Sequence, residues 1–186
     1  MSSIAICGGM ANSFIAFNGN EIGASLAEEN VNEEIEEIYN YSNENDCQII
    51  LPSDASVAPK LDPDINFAVK KIEGLNSSDM ILDIGPVSIK DLKEVISNSK
   101  TVFWNGPPGV FEVEPFNKAT IEIANHIADL TSAGKIKSFA GGGDTVAAIE
   151  MAGVKEKFTY ISTGGGALLE LLEGKQLPGL VSQNIL

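Results

Sequence analysis

Two glycine-rich turns in the last third of the chain have the composition and spacing of an anion-binding site. Residues 136–140 lead into Gly-Gly-Gly-Asp-Thr at 141–145, and residues 158–162 lead into Thr-Gly-Gly-Gly at 163–166. In each case a short apolar segment, predicted to be a strand, precedes the glycines and a helix-forming segment follows. Bare backbone at a helix start offers unpaired N–H groups and the positive end of the helix dipole to negative charge. Two such turns in one chain predict a phosphate-bearing ligand.

The first turn has two interpretations that the sequence alone leaves open. Its backbone could hold phosphate, with Asp144 on a magnesium ion and Thr145 capping the next helix. Alternatively it is a tight strand-to-helix turn that uses glycine for geometry and Asp144 as the N-cap. It is not a Walker A loop, because no lysine follows the glycines. The second turn has the same ambiguity, and it resembles a dinucleotide fingerprint only loosely.

Residues 105–112, Asn-Gly-Pro-Pro-Gly-Val-Phe-Glu, form a third candidate. This segment combines an amide, a rigid proline turn and a carboxylate. Glu112 could bind a ribose hydroxyl pair, or it is simply an exposed loop acid. His126 lies in the middle of a predicted helix, and since it is the sole histidine a helical surface role is the simpler interpretation.

The charge of the chain restricts its partners. The formal net charge is −14, and no arginine occurs in the 186 residues. Such acidity repels nucleic acid and anionic membranes, so neither is expected as a partner. It also repels a nucleotide at long range, so a phosphate site must depend on backbone N–H groups, helix ends and a metal ion. A hydrophobic content of 44% without any membrane-length apolar run is typical of a globular cytoplasmic protein.

The two cysteines are not expected to form a disulfide. Cys7 is predicted at the end of the first strand and Cys47 at the start of the second. In a parallel pair these positions are about 15 Å apart at roughly 3.3 Å per residue, which is too far for a disulfide. Reduced thiols agree with a cytoplasmic location.

Strand and helix patterns alternate along the chain. Segment 53–73 is rich in proline and aspartate and predicts a loop or a short hairpin. The alternation predicts right-handed βαβ units in an α/β fold, a doubly wound (Rossmann-like) parallel sheet in three α/β/α layers, with ligands beyond the carboxyl ends of the strands. We predict one domain over residues 1–186. Strands are predicted at 3–7, 46–51, 80–84, 101–104, 136–140 and 158–162, and helices at 11–17, 31–42, 89–97 with Ser88 as N-cap, and 115–133.

Four motifs in order resemble those of phosphoglycerate kinase. They are residues 104–112 (Trp-Asn-Gly-Pro-Pro-Gly-Val-Phe-Glu), 141–145, 162–167 (Ser-Thr-Gly-Gly-Gly-Ala) and 172–179 (Leu-Glu-Gly-Lys-Gln-Leu-Pro-Gly). Shorter matches at 8–11, 22–26, 51–54 and 83–86 fit the same half of that family, its C-terminal nucleotide-binding domain. The resemblance covers nearly the whole chain. It implies that the family's N-terminal substrate domain, and the first strand and helix of this domain, are absent.

The resemblance also implies roles for individual residues. It assigns magnesium to Asp144, the ribose hydroxyls to Glu112, and the transferring phosphoryl group to three glycines, Gly143, Gly165 and Gly166. The nucleotide-binding residues it implies are Gly8, Gly9, Leu26 and Leu82 at adenine, Asn105, Pro107, Gly109 and Val110 along the nucleoside, and Gly142, Gly143, Asp144 and Thr145 at the phosphates.

The implied ligands are ATP or ADP with Mg²⁺. The family transfers a phosphoryl group reversibly between 1,3-bisphosphoglycerate and ADP in glycolysis, and 3-phosphoglycerate would bind only through the N-terminal domain. The full enzyme is expected to be a monomer, whereas this chain alone is expected to bind Mg-nucleotide weakly and to be inactive. Ile81 and Cys7 stand where the family usually has glycine, and the branched side chain of Ile81 is expected to narrow the base pocket. The alternative is a truncated or decayed paralogue that acts only as a nucleotide- or protein-binding module.

Overall fold

The computed structural model describes residues 1–162 together with Gly166 and Gly174. Its residues group into two compact units. The first unit comprises Met1–Val95 and Pro107–Ile123, and the second comprises Ile96–Gly106 and the described residues from Ala124 onward. The elements, in chain order, are β1 (Ser3–Ala5), α1 (Gly8–Phe17), α2 (Asn32–Glu44), β2 (Gln48–Ile50), β3 (Asp54–Ala58), β4 (Ala68–Lys71), β5 (Met80–Ile84), α3 (Pro86–Asn98), β6 (Thr101–Asn105), α4 (Lys118–Ser132), β7 (Lys137–Gly141), α5 (Gly143–Met151) and β8 (Tyr160–Ser162).

The first unit contains two small sheets. Strand β1 pairs with β2 in parallel, in the register Ser3↔Gln48. Strand β3 lies between β4 and β5 and is antiparallel to both. The core of this unit forms where α1 and α2 pack beside these strands. Its buried apolar residues are Ile6, Ala11, Phe14, Ile15, Ile35, Ala55, Val57, Ile72 and Leu75.

The antiparallel sheet corrects one part of the prediction. Strand β5 was predicted with the correct bounds, but it does not continue a parallel sheet, because β3 runs against it. Segment 53–73 is a hairpin, which is one of its two predicted forms. The register of β3 against β5 shifts between Ser56 and Val57, so Leu82 is an extra residue on β5 at a β-bulge. The bulge changes which face of the sheet the last residues of β5 present.

The second unit contains the parallel sheet β6-β7-β8. Trp104 of β6 stacks on Phe158, with ring centroids 6.3 Å apart. Ala140, Ala148 and Ile149 are fully buried, because the small side chains let α5 pack closely on β7. These parallel strands and the helices α1–α5 of the described residues confirm the predicted α/β class.

Three predicted helix starts were wrong by three residues, including that of α4, which begins at Lys118 rather than at residue 115. Helix α1 begins at Gly8 rather than at residue 11, so Gly8 and Gly9 belong to its first turn and Cys7 is the N-cap. Helix α3 begins at Pro86, and its cap is not Ser88. Asp54 of β3 caps it instead, since its carboxylate accepts hydrogen bonds from the backbone N–H groups of Val87 (3.0 Å) and Ser88 (2.8 Å). The cap is distant in sequence, which explains why local pattern failed to predict it.

Candidate functional site

The first glycine turn has the geometry expected of an anion site. Strand β7 ends at Gly141, and Gly142 takes φ 96°, a conformation that side chains other than glycine rarely adopt. Helix α5 then begins at Gly143. Gly143 and Asp144 are both exposed, and backbone N–H groups in the first turn of a helix have no partner within the helix. An added Cβ on Gly143 would have no atom within 4 Å, so the space above the helix start is open.

The structure contradicts the capping roles proposed for this turn. The N-cap of α5 is Gly142, and no side chain caps the helix. Asp144 therefore is not the N-cap. Thr145 does not cap the helix either: it is 1% exposed, and its Oγ1 accepts a hydrogen bond from the backbone N–H of Gly106 at 2.7 Å. The Asp144 carboxylate thus remains exposed in the first helical turn, where it can bind a cation held by a phosphate.

Strands β6, β7 and β8, in the described part of the second unit, end side by side. Asn105 at the end of β6 is in register with Gly141 at the end of β7, and Gly141 is in register with Ser162 at the end of β8. The second glycine turn follows Ser162 in the sequence. The two turns therefore follow neighbouring parallel strands at the same edge of one sheet, where ligands of such sheets bind. Gly165 lies outside the described residues, and Gly166 is exposed.

The Asn105 side chain lies next to the first glycine turn. An added Cβ on Gly142 would stand 3.0 Å from Asn105 Oδ1 and 3.4 Å from Thr145 Oγ1. Glycine is therefore required at residue 142 for two reasons, its positive φ and this close approach. The second unit brings together five predicted nucleotide-binding residues, namely Asn105, Gly142, Gly143, Asp144 and Thr145.

The predicted base-binding residues of the first unit are placed in two ways. Gly8 and Gly9 open α1, and the carbonyl oxygen of Pro107 lies 3.4 Å from a Cβ added to Gly8. Leu26 is 83% exposed and contributes its carbonyl oxygen, which accepts a hydrogen bond from Asn12 Nδ2 at 2.9 Å. By contrast, the Leu82 side chain is buried with Phe116 in an apolar cluster.

Segment 107–112 is held to the end of β5. The backbone N–H of Val110 donates to the carbonyl of Leu82 at 2.8 Å. Gly109 packs so closely on Asp83 that an added Cβ would lie 2.2 Å from its Oδ1. Glu112 is exposed, as a residue that binds ribose hydroxyls must be. Ile81 is half-buried and packs against the apolar core of the first unit.

The sequence analysis did not predict that Asp83 is a buried carboxyl with a raised pKa. This carboxyl is 2% exposed, and it accepts hydrogen bonds from the backbone N–H groups of Ala119 and Ile84, each at 2.9 Å. Burial raises the pKa of Asp83 to about 7, although both N–H donors oppose that shift. Burial, with a smaller contribution from Asp83, also raises the pKa of the Cys7 thiol to about 12. An acidic residue that follows a strand's apolar run was the only signal in the sequence.

The described residues offer no complete metal site made of protein ligands alone. Among them, no group of three or more histidine, cysteine or acidic side chains could hold a metal ion. Magnesium is commonly bound by one or two carboxylates together with substrate phosphates and water. A single exposed Asp144 beside an open helix start fits that mode. His126 pairs with Ser97 Oγ at 2.9 Å, in agreement with a helical surface role.

Two further predictions are addressed by the described residues. No helix among them is long and apolar enough to cross a membrane. Within residues 1–162, which contain both cysteines, no disulfide joins Cys7 and Cys47.

Comparison with known proteins identifies the relatives of this chain. The family profile described as phosphoglycerate kinase matches residues 1–175. The phosphoglycerate kinase of Caulobacter vibrioides (strain NA1000 / CB15N) is 46% identical over 182 residues, which are 98% of this chain and 46% of that protein. That of Agrobacterium fabrum is 46% identical over 180 residues, covering 97% of this chain and 45% of that protein. The chain thus spans about half the length of the curated relatives it matches.

Solved structures agree with these relatives. The structure of phosphoglycerate kinase from Coxiella burnetii matches with a TM-score of 0.88 and 35% identity, covering 94% of this chain and 44% of that chain. The enzyme from Pyrococcus horikoshii OT3 matches with a TM-score of 0.78 and 28% identity, covering 99% of this chain and 45% of that chain. These likenesses confirm the predicted fold class.

Proposed function

The chain belongs to the phosphoglycerate kinase family, and we propose that it carries that family's nucleotide-binding site and corresponds to the C-terminal domain. The observation that supports this most strongly is the aligned ends of β6, β7 and β8, with the open start of α5 next to them. Phosphate oxygens would accept hydrogen bonds from the N–H groups of Gly142 and Gly143.

Phosphoryl transfer depends mainly on positioning and on neutralising charge that spreads over the transferring group. In this proposal the N–H groups of Gly143, Gly165 and Gly166 stabilise that charge, and Asp144 holds magnesium against the nucleotide. Magnesium, when bound at Asp144, would supply positive charge against the negative charge of the nucleotide. The complete enzyme would then move a phosphoryl group between 1,3-bisphosphoglycerate and ADP in the cytoplasm, as a glycolytic step.

The chain alone provides little of the positive charge that this reaction needs. Its net charge is −14, and it contains 12 lysines but no arginine. The remaining half of its relatives' length would supply phosphoglycerate binding and further cations. We therefore expect the isolated chain to bind Mg-ADP weakly and to show no transfer in a coupled assay.

Isothermal titration calorimetry with Mg-ADP tests the proposal. Gly143→Ala should weaken binding at least tenfold, because a Cβ would obstruct the approach of phosphate to the helix start. Asp144→Asn should weaken binding only when magnesium is present. Glu156→Gln removes an equal charge from an exposed site of the same unit and should leave affinity unchanged. Unchanged affinity in both Gly143→Ala and Asp144→Asn would contradict the proposal.

A second function, a binding module that has lost catalysis, is favoured by Ile81, which carries a branched side chain where the family usually has glycine. The two functions can be separated by joining this chain to the half of a relative that the chain does not span. Transfer activity in the joined protein supports a kinase domain. Mg-ADP binding without transfer supports the module, and Ile81→Gly would then be expected to raise affinity.

A further inference from the structure

Asp83, near the end of β5, uses both oxygens of its buried carboxyl to hold other segments of the first unit. Its Oδ2 accepts a hydrogen bond from the backbone N–H of Ala119, in the first turn of α4, at 2.9 Å. Its Oδ1 accepts one from the neighbouring N–H of Ile84, also at 2.9 Å. Gly109 packs against the same Oδ1 so closely that an added Cβ would lie 2.2 Å from it. One side chain therefore contacts both Gly109 and Ala119.

The loop formed by residues 109–119 is anchored at both ends by this carboxyl. Between the two ends the chain turns twice: Val113 N–H donates to the Val110 carbonyl at 3.2 Å, and Phe116 N–H donates to the Val113 carbonyl at 2.8 Å. The Phe116 side chain is fully buried, whereas Glu112 is exposed. The loop thus presents the Glu112 carboxylate from a backbone whose position depends on Asp83.

A second buried carboxyl, Asp54, has the same arrangement elsewhere in this unit. It is 4% exposed and accepts hydrogen bonds from two backbone N–H groups in the first turn of α3, at 3.0 and 2.8 Å. Gly85 packs on it as Gly109 packs on Asp83, since a Cβ added to Gly85 would lie 2.3 Å from Asp54 Oδ2. Gly85 directly precedes α3, however, so no loop lies between this glycine and its helix. Asp54 therefore matches Asp83 in burial and bonding, but it holds no loop with a predicted nucleotide-binding residue.

We propose that Asp83 is a positioning residue of the nucleotide site, which holds loop 109–119 so that the Glu112 carboxylate accepts hydrogen bonds from the ribose hydroxyls. The inference rests on the proposed function, because the resemblance to phosphoglycerate kinase is what assigns the ribose to Glu112. Both acceptor oxygens of Asp83 are needed. In Asp83→Asn, either orientation of the amide places its NH₂ group against one of the two backbone N–H donors. One hydrogen bond is then replaced by a contact between two donors, which displaces the loop from the end of β5.

A ratio of two affinities tests this role independently of any general loss of stability. Mg-ADP and its 2′,3′-dideoxy analogue share the base and the diphosphate and differ at the ribose hydroxyls. In calorimetry the wild-type chain should bind Mg-ADP about tenfold more tightly than the analogue. Asp83→Asn should lower this ratio to about two or less, whereas Asp54→Asn should keep the wild-type ratio even if both affinities fall. Glu112→Ala should also remove the preference, and adding Asp83→Asn to it should change the ratio no further.

These outcomes separate the inference from the proposed function. A wild-type ratio in Asp83→Asn, or an equal fall of the ratio in Asp54→Asn, would overturn the inference and leave the proposed nucleotide site standing. Equal affinities of the wild-type chain for the two ligands would overturn it as well, because Glu112 would then not contact the ribose hydroxyls. If neither ligand bound to the wild-type chain, the proposed function would fail and the inference with it.

A second measurement needs no variant and covers the case in which Asp83→Asn does not fold. The Ala119 N–H is bonded to Asp83, so a ligand that fixes loop 109–119 should slow the exchange of this amide with deuterium. At matched saturation, Mg-ADP should slow exchange at Ala119 about threefold more than the dideoxy analogue, as measured by NMR. The Ser88 amide, which is bonded to Asp54, should exchange at the same rate with either ligand. Equal exchange rates at Ala119 with the two ligands would contradict the positioning role.

Discussion

Replacement of Asp83 by asparagine should remove a defined part of the pH dependence of stability. The Asp83 carboxyl is 2% exposed and lies between Gly109 and the start of α4, whose Ala119 N–H it accepts. Burial raises its pKa from 3.8 to about 7. Glu122 adds to the rise, whereas the two N–H donors and Lys118 oppose it. The ionised form of Asp83 is therefore less favourable in the folded chain than in the unfolded chain.

The sign follows from proton linkage. Between pH 3.8 and about 7 the folded chain keeps a proton on Asp83 that the unfolded chain has released. The free energy of unfolding therefore falls as the pH rises through this window and levels off above pH 7. The loss is about 1 kcal/mol between pH 5 and pH 6, and about 4 kcal/mol over the whole window.

Urea unfolding followed by circular dichroism at pH 5, 6, 7 and 8 measures this effect. The wild-type free energy of unfolding should fall more steeply with pH than that of Asp83→Asn, by about 1 kcal/mol between pH 5 and pH 6. Glu156→Gln, which removes an exposed carboxylate, should keep the wild-type slope. Parallel curves for the wild type and Asp83→Asn would show that the buried carboxyl does not titrate as its environment requires.

Three further outcomes follow from the structure. Gly109→Ala should lower the free energy of unfolding by about 2 kcal/mol or more, because the added Cβ would lie 2.2 Å from Asp83 Oδ1. Gly74→Ala, whose Cβ would have no atom within 4 Å, should not lower it. Equal losses in urea unfolding would contradict this. Thr145→Val should destabilise by about 1 kcal/mol. Thr120→Val, which removes a buried hydroxyl with no hydrogen-bond partner among the described residues, should be neutral or stabilising. Thermal melts that shift in the same direction for both variants would refute this argument. In a Cys47→Ser variant, Cys7 should react with iodoacetamide at pH 8 about 1,000-fold more slowly than an ordinary thiol, because burial raises its pKa from 9.0 to about 12. Mass spectrometry measures the labelling, and full labelling within minutes would contradict this expectation.

The fold was predictable where the information is local. The apolar run of β5 is bounded by breakers, and its limits Met80–Ile84 were predicted correctly. Strand direction was not predictable, because a short apolar run looks the same in parallel and antiparallel pairs. The cap of α3 was also missed, since Asp54 reaches it from more than 30 residues earlier in the chain.

The candidate site divides in the same way. The first glycine turn was located from its residues alone, since glycine at the end of a strand and before a helix has a direct geometric meaning, and Gly142 has the expected positive φ. The burial of Asp83 depends on which distant segments pack over it. Thr145 shows both cases: its location at the turn was predicted, but its hydrogen bond to Gly106 was not.

The acidity of the chain gives a last prediction that concerns salt. Most phosphate sites are lined by lysine and arginine, so salt weakens binding by screening attraction. Here the net charge is −14 and the proposed contacts are backbone N–H groups, so long-range electrostatics repel Mg-ADP, which keeps a negative charge. Screening that repulsion should tighten binding as salt increases from 10 to 150 mM KCl at constant magnesium, since the Debye length shortens from about 30 Å to about 8 Å. Calorimetry at both concentrations measures the change, and Gly143→Ala should show the same salt trend at lower affinity. A weaker affinity for Mg-ADP at 150 mM would mean that lysine side chains, rather than the helix start, carry the attraction.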